Sequence, residues 1–149
     1  MSHLLRKLRA LNSYLRRFTV PGRDDVKVSY VTAYADATSR LNNETGVQVL
    51  IARPEMHSQS PDGEAAAYAQ IESAVFILMK DFGSARTDAL ELEAYDDMED
   101  IADAVLAEIY GRAGSCSQLA GIRCTGFEIV PVTSTFGSWF GYSIVITFE

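Results

Sequence analysis

The stretch between Asp88 and Tyr110 constrains the fold of this chain more than any other. Its apolar residues recur every three or four positions, a spacing that places one stripe along one face of a helix. They are Leu90, Ala94, Met98, Ile101, Val105 and Ile109. Nine acidic residues and no Lys or Arg lie between Asp88 and Glu108. Each like-charge pair one turn apart costs an isolated helix roughly 0.2–0.5 kcal/mol. We therefore expect the apolar stripe to pack on a sheet that outweighs this repulsion.

The opposite face of the same predicted helix is the first candidate functional surface. Its carboxylates include Glu93, Asp96, Asp97, Asp100 and Asp103. Such a face can be simply solvated, or it can hold a divalent ion loosely through water. The run from Asp96 to Asp100 copies the DDxxD pattern of prenyl-diphosphate enzymes, but those are large all-helical proteins, so we predict no metal site.

The N-terminal segment, residues 1–20, predicts a basic amphipathic helix that ends at Pro21-Gly22. Its apolar stripe is Leu4, Leu5, Leu8, Leu11, Leu15 and Phe18. Its cations are Arg6, Lys7, Arg9, Arg16 and Arg17. Three interpretations remain open at this point. The helix is an ordinary surface helix, it docks on the acidic face of a neighbouring subunit, or it binds nucleic acid or lipid.

The net charge of −7 conceals an asymmetry along the chain. Residues 1–27 hold seven Lys or Arg and two Asp, whereas residues 28–149 hold six Lys or Arg and eighteen Asp or Glu. A basic arm on an acidic body indicates two surfaces for different partners.

The 48% hydrophobic content is sufficient for a folded core, and 149 residues are typical of one domain, 1–149. With no secretory signal and two cysteines that form no metal-binding cluster, we expect an intracellular setting.

The remaining elements predict a sheet. Strands are expected at Val26–Tyr34, Val47–Ala52, Ala67–Lys80, Phe127–Val132 and Trp139–Glu149, with a polar turn over Asp36–Thr45. Val47–Ala52 is nearly all apolar and should be central, while Pro131 places its strand at an edge or a strand end. The predicted order is α-β-β-β-α-β-β. We predict an α+β fold in which about five mostly antiparallel strands form one layer under two helices.

One connection in this sheet is unusually long. Val47–Lys80 predicts a protruding hairpin whose polar tip spans residues 53–66, although hairpin loops typically have 2–5 residues. Long loops carried on rigid strands are often functional. We therefore take Met56, His57 and Asp62 as candidate partner contacts.

No arrangement of residues in the sequence nominates a catalytic group or a cofactor. His3 and His57 have no Cys or carboxylate at metal-ligand or triad spacing, and no phosphate-binding loop or dinucleotide fingerprint is present. Cys116 and Cys124 have the character of small buried thiols. We predict a protein that is not an enzyme and that binds no metal or cofactor.

The order of elements resembles that of the ring-forming neck proteins of tailed bacteriophages, above all the tail-terminator family with the head–tail joining and tail-completion proteins. The shared features are an N-terminal helix, the long hairpin Val47–Lys80, a following helix and a C-terminal hairpin. The last strand follows an aromatic-glycine segment, Trp139-Phe140-Gly141-Tyr142. The resemblance spans nearly the whole chain.

The resemblance implies a hexameric ring that caps the tail tube, stops its polymerisation and joins it to the head. The partners would be further copies of the chain, tail-tube proteins and head-connector proteins, in a virion assembled in the bacterial cytoplasm. DNA would pass through without specific binding, so the acidic face Glu93, Asp96, Asp97, Asp100 and Asp103 would line the lumen. The basic helix would lie at a subunit junction or on the outer surface. A binding or adaptor module that uses the basic helix is the alternative, and a small-molecule enzyme is a third class.

Overall fold

The computed structural model describes residues 3–32, 34–41, 44–58, 69–115 and 117–149. Within these ranges the helices are α1 (His3–Arg16), α2 (Tyr34–Leu41) and α3 (Asp88–Arg112). The strands are β1 (Lys27–Val31), β2 (Gln48–Ala52), β3 (Glu55–Ser58), β4 (Ala69–Lys80), β5 (Cys124–Phe136) and β6 (Trp139–Phe148). The predicted α+β class is confirmed. No helix in the described ranges is both long and apolar enough to cross a bilayer.

The strands form one mixed sheet with the order β1-β2-β4-β6-β5, and β3 pairs with β4 beyond the end of β2. The β1–β2 pair is parallel and the other pairs are antiparallel. As predicted, the apolar strand β2 is central and the strand that contains Pro131 is at an edge. The parallel pair was not predicted, because its register depends on a crossover that passes through α2.

Helices α1 and α3 cover the same face of this sheet and build the main core. Leu11 and Leu15 of α1 are buried there, together with Met98, Ile101 and Val105 of α3. The sheet contributes apolar side chains from alternate positions of three strands, which are Val49, Ile51, Val75, Ile77, Ile144, Ile146 and Phe148. The periodicity that predicted the two helices therefore identifies most of the residues that hold them on the sheet. Two members of the predicted stripes lie outside the core, since Leu90 is 39% exposed and Leu5 is 46% exposed.

The opposite face of the sheet carries a second, smaller core. Helix α2 occupies the segment that was predicted to be a polar turn, so that prediction was wrong. Ala37 and Leu41 are buried against Val31 and Leu50. Phe136 of β5 packs its ring edge-on to Phe76 of β4, with ring centroids 5.1 Å apart. Two buried residues one turn apart are enough to fix an eight-residue helix that has a weak sequence signal.

The predicted long hairpin is confirmed as the pairing of β2 and β3 with β4. Its register runs from Gln48 opposite Leu78 to Ser58 opposite Ala69. Arg53 and Pro54 separate β2 from β3, and proline cannot donate a ladder hydrogen bond. Strand β3 continues into the region 53–66 that was predicted to be the tip. Residues 59–68, with the candidate contact Asp62, lie outside the described residues.

Gly141 in β6 marks the closest approach between the sheet and α3. A Cβ at this position would lie 1.9 Å from the carbonyl oxygen of Ile77 and 2.9 Å from Sδ of Met98. The φ angle of +151° is also one that other residues rarely adopt. Only glycine therefore fits between β4 and α3 in the aromatic-glycine segment.

Candidate assembly surfaces

The acidic face of α3 projects away from the sheet. Four of its carboxylates, Glu93, Asp96, Asp100 and Asp103, are exposed. None of these four makes an ion pair with another residue in the described part of the chain. We call this group the unpaired acidic row. Its members lie on a helix whose buried stripe supplies the stability, so the mutual repulsion of the carboxylates is tolerated rather than relieved.

Asp97 does not belong to that row, which corrects the expectation of five equivalent carboxylates. Arg23, in the turn after α1, donates hydrogen bonds from Nη1 and Nη2 to the two oxygens of Asp97 at 2.8 and 3.2 Å. The same guanidinium binds Asp25 at 2.9 Å. These hydrogen bonds, first to Asp25 and then to Asp97, raise the pKa of Arg23 above its ordinary value. Asp97 thus connects α3 to the α1–β1 turn.

Glu99 accepts a hydrogen bond of 2.7 Å from the hydroxyl of Tyr142 on β6. This hydrogen bond, with burial as the second cause, raises the pKa of Tyr142 from 10.0 to about 12. Tyr95 packs on the same tyrosine, with ring centroids 5.6 Å apart. Glu99 therefore fixes the flank of α3 that faces the β6–β5 side of the sheet.

The cations of α1 form the second charged surface. Arg6, Arg9, Arg16 and Arg17 are exposed and Lys7 is half-buried. None of the five has a carboxylate partner among the described residues. Because α1 and α3 lie on the same sheet face, the basic and acidic surfaces are side by side. A cavity of about 310 Å³ between the helices is lined in part by Tyr14, Arg17 and Glu108.

The structure separates the candidate contacts on the hairpin. Met56 is partly buried and packs against the main core, and its role as a partner contact stays a prediction. His57 is exposed, with Nε2 at 3.4 Å from a Glu55 oxygen and 3.8 Å from a Glu72 oxygen. Of the hairpin residues named from the sequence, His57 is the one that is exposed within the described ranges.

An apolar hollow lies on the sheet face that carries α2. It has a volume of about 390 Å³, an apolar floor that includes Phe76 and Ala74, and a polar rim that includes Arg53 and Glu72. Across the described residues, no group of three or more His, Cys, Asp or Glu is placed to hold a metal ion. Burial raises the pKa of the Cys124 thiol to about 11, so this thiol is protonated at neutral pH.

An exposed apolar surface on β5 was missed from the sequence. Phe127 is 53% exposed, Ile129 40% and Val130 45%. Their apolar character is typical of a buried strand, and no local pattern distinguishes them from core residues. Their exposure follows from the position of β5 at the sheet edge. Pro131 was the one local signal of that position, and it did not show which side chains of the strand are exposed.

These surfaces are the features from which a function must be inferred. They comprise the unpaired acidic row, the basic α1, the long hairpin and the exposed edge strand. Neither a protein-family model nor a curated protein sequence matches the chain.

Proposed function

We propose that this chain is a structural subunit of a bacteriophage neck or tail terminator, forming a ring that caps the tail tube and connects it to the head. The observation that carries the proposal is the unpaired acidic row Glu93, Asp96, Asp100 and Asp103. These carboxylates repel one another and gain nothing from cations within the described protomer. A purpose outside the protomer accounts for their presence.

A channel that DNA must traverse requires walls that do not hold phosphates. Cations on such a wall would bind DNA by displacing its counterions. Carboxylates on the wall repel the phosphates and leave the DNA free to move. Three members of the unpaired acidic row, Glu93, Asp96 and Asp100, meet this requirement when they are directed into a lumen, and they need no binding site for a small molecule.

The hairpin formed by β2, β3 and β4 supports the same proposal. Its strands pair from Gln48 opposite Leu78 to Ile51 opposite Val75, and again from Glu55 opposite Glu72 to Ser58 opposite Ala69, so it forms an ordered arm. Such an arm can contact a neighbouring subunit or the tube below the ring. His57, exposed beside Glu55 and Glu72, lies on its outer part.

Light scattering and negative-stain microscopy test the ring directly. We expect a closed particle with a central opening. A chain that stays monomeric at its highest soluble concentration would overturn the proposal.

The lumen assignment has its own test, in which Asp96→Lys/Asp100→Lys rings should retain a DNA fragment at low salt while wild-type rings do not. Asp24→Lys/Asp81→Lys, with the same charge change at two exposed residues outside α3 and outside β3, is the matched control. If the α3 variant releases DNA as the control does, the acidic row does not face the lumen.

A second candidate function is a binding module that uses α1 on nucleic acid. The observation that favours it is the set of exposed α1 arginines without a carboxylate partner in the described chain. In that case wild-type protein would bind DNA with an affinity that falls steeply with salt. Arg6→Glu/Arg9→Glu would abolish this binding. The ring proposal predicts no DNA binding by the wild-type chain at physiological salt.

A further inference from the structure

Helix α1 presents a basic stripe over the β1 edge of the sheet. Four residues of α1 recur at steps of four, three and four, so they share one flank of the helix. They are Leu5, Arg9, Asn12 and Arg16. Two contacts fix the direction of that flank. The hydroxyl of Tyr30 on β1 donates a hydrogen bond to Asn12, and the Arg16 guanidinium lies 5.5 Å from the centroid of the Tyr30 ring. We call Leu5, Arg9 and Arg16 the basic edge.

Helix α3 presents an acidic stripe over the other edge, with the same spacing. This stripe consists of four residues at steps of four, three and four, which are Glu99, Asp103, Leu106 and Tyr110. Glu99 accepts from Tyr142, and the cross-strand neighbour of Tyr142 on β5 is Pro131. At the other end of the stripe, the ring of Tyr110 packs edge-on against Phe127 of β5, with centroids 6.0 Å apart.

Strand β5 continues this surface with apolar side chains. Phe127 and Ile129 lie opposite Ile146 and Ile144 of β6, so they point to the sheet face that carries the helices. Both remain 40% or more exposed. On its outer side β5 has no strand partner in the described chain. Long edge strands with exposed apolar residues are normally covered or associate with another chain. We call Glu99, Asp103, Phe127 and Ile129 the acidic edge.

We propose that the basic edge of one copy docks on the acidic edge of the next copy, head to tail. The charges are complementary, since Arg9 and Arg16 would meet Glu99 and Asp103. The apolar parts match as well, because Leu5 is 46% exposed and would cover the exposed β5 surface. The two edges lie at opposite ends of the sheet, so each protomer offers one of each. Such a heterologous contact continues from copy to copy until a ring closes. The closure of these contacts into a ring rests on the proposed function, whereas the contact between two copies does not.

The test uses two charge reversals in the full-length chain, Arg9→Glu/Arg16→Glu and Glu99→Arg/Asp103→Arg. Each reversal alone places like charges in the contact, and we expect the association constant to fall at least about tenfold. In an equimolar mixture, copies of the two variants that alternate have opposite charges at every contact, so the mixture should assemble again. Misfolded variants could not show this rescue. Sedimentation velocity of each variant and of the mixture provides the measurement.

The matched control is Arg6→Glu/Arg17→Glu, which makes the same charge change on α1 away from the stripe. It should associate like the wild type. If assembly survives both edge reversals, the contact is elsewhere and the ring proposal is unaffected. If both reversals abolish assembly and the mixture restores it, but the particles are open filaments, the contact is supported and the ring is contradicted. A wild-type chain without self-association overturns both.

Discussion

Replacing either Asp97 or Asp100 by Asn removes one negative charge from α3. The structure nevertheless predicts different effects of the two substitutions on the free energy of unfolding. Asp97 is held by Arg23 through two hydrogen bonds of 2.8 and 3.2 Å. Asp100 is exposed and makes no ion pair in the described chain. Asp97→Asn should therefore lower the free energy of unfolding, and Asp100→Asn should leave it unchanged or raise it.

The expected magnitude follows from exposure. A hydrogen-bonded ion pair contributes about 1.5–3 kcal/mol when shielded from water but only about 0.2–1 kcal/mol when exposed. The side chains of Arg23 and Asp97 are 26% and 39% exposed, so we expect a loss of about 1 kcal/mol. Asp100 lies one turn from Asp96, Asp97 and Asp103. Its neutralisation should raise stability by up to about 0.5 kcal/mol because these repulsions are individually small.

Urea unfolding followed by circular dichroism measures both changes. A loss of about 1 kcal/mol corresponds to a decrease of about 2–4 °C in the melting temperature of a domain of this size. A double-mutant cycle with Arg23→Gln isolates the pair, because Asp97→Asn should have little further effect once Arg23 is absent. Arg23 remains bound to Asp25 in the Asp97 variant, which limits the loss.

Three results would refute this reasoning. Equal effects of Asp97→Asn and Asp100→Asn would mean that the ion pair does not stabilise the fold. A large destabilisation by Asp100→Asn would mean that its carboxylate is paired or buried. Additivity of the Arg23 and Asp97 changes would mean that the two side chains do not interact.

Three other predictions concern the core and the sheet. Ile101 is fully buried, so Ile101→Ala should cost about 2–5 kcal/mol in urea, and a cost below ~0.5 kcal/mol would contradict its place in the core. Gly141→Ala should cost at least about 3 kcal/mol because its Cβ would meet the backbone of β4 at 1.9 Å. Gly126→Ala, where a Cβ meets nothing within 4 Å, should stay within about 1 kcal/mol of wild type, and equal effects would contradict the packing. The pKa of Tyr142 is raised from 10.0 to about 12 in the folded chain. Its stabilising contribution is therefore complete below about pH 10 and is lost as the pH rises through about 12. Tyr142→Phe should remove one phenol that ionises near the upper value in an ultraviolet titration, and loss of a phenol that ionises near pH 10.0 instead would contradict the hydrogen bond to Glu99.

Strong local patterns explain what the sequence could predict. The stripe from Ala94 to Ile109 identified α3 and its buried face, and Leu11 and Leu15 did the same for α1. Leu90 and Leu5, which the sequence placed in the same stripes, are exposed. The apolar run of β2 predicted a central strand, and Pro131 predicted an edge, because each reflects a local steric or burial requirement. The α+β class follows from these elements alone.

The structure adds features that depend on contacts distant in sequence. Asp97 resembles its acidic neighbours in every local respect, and only its meeting with Arg23, 74 positions away, distinguishes it. Helix α2 forms because the second core buries Ala37 and Leu41. The exposure of Phe127 is set by strand order. In each case tertiary packing, and not local propensity, decides the outcome.

The solution mass of the wild-type chain, measured by multi-angle light scattering, tests the central claim most directly. The protomer has a mass of 16.4 kDa, and a closed hexameric ring would have a mass of about 98 kDa. We predict a single discrete species of this kind that does not grow further with concentration. A single 16.4 kDa species at every attainable concentration would contradict the claim that the unpaired acidic row serves an assembly.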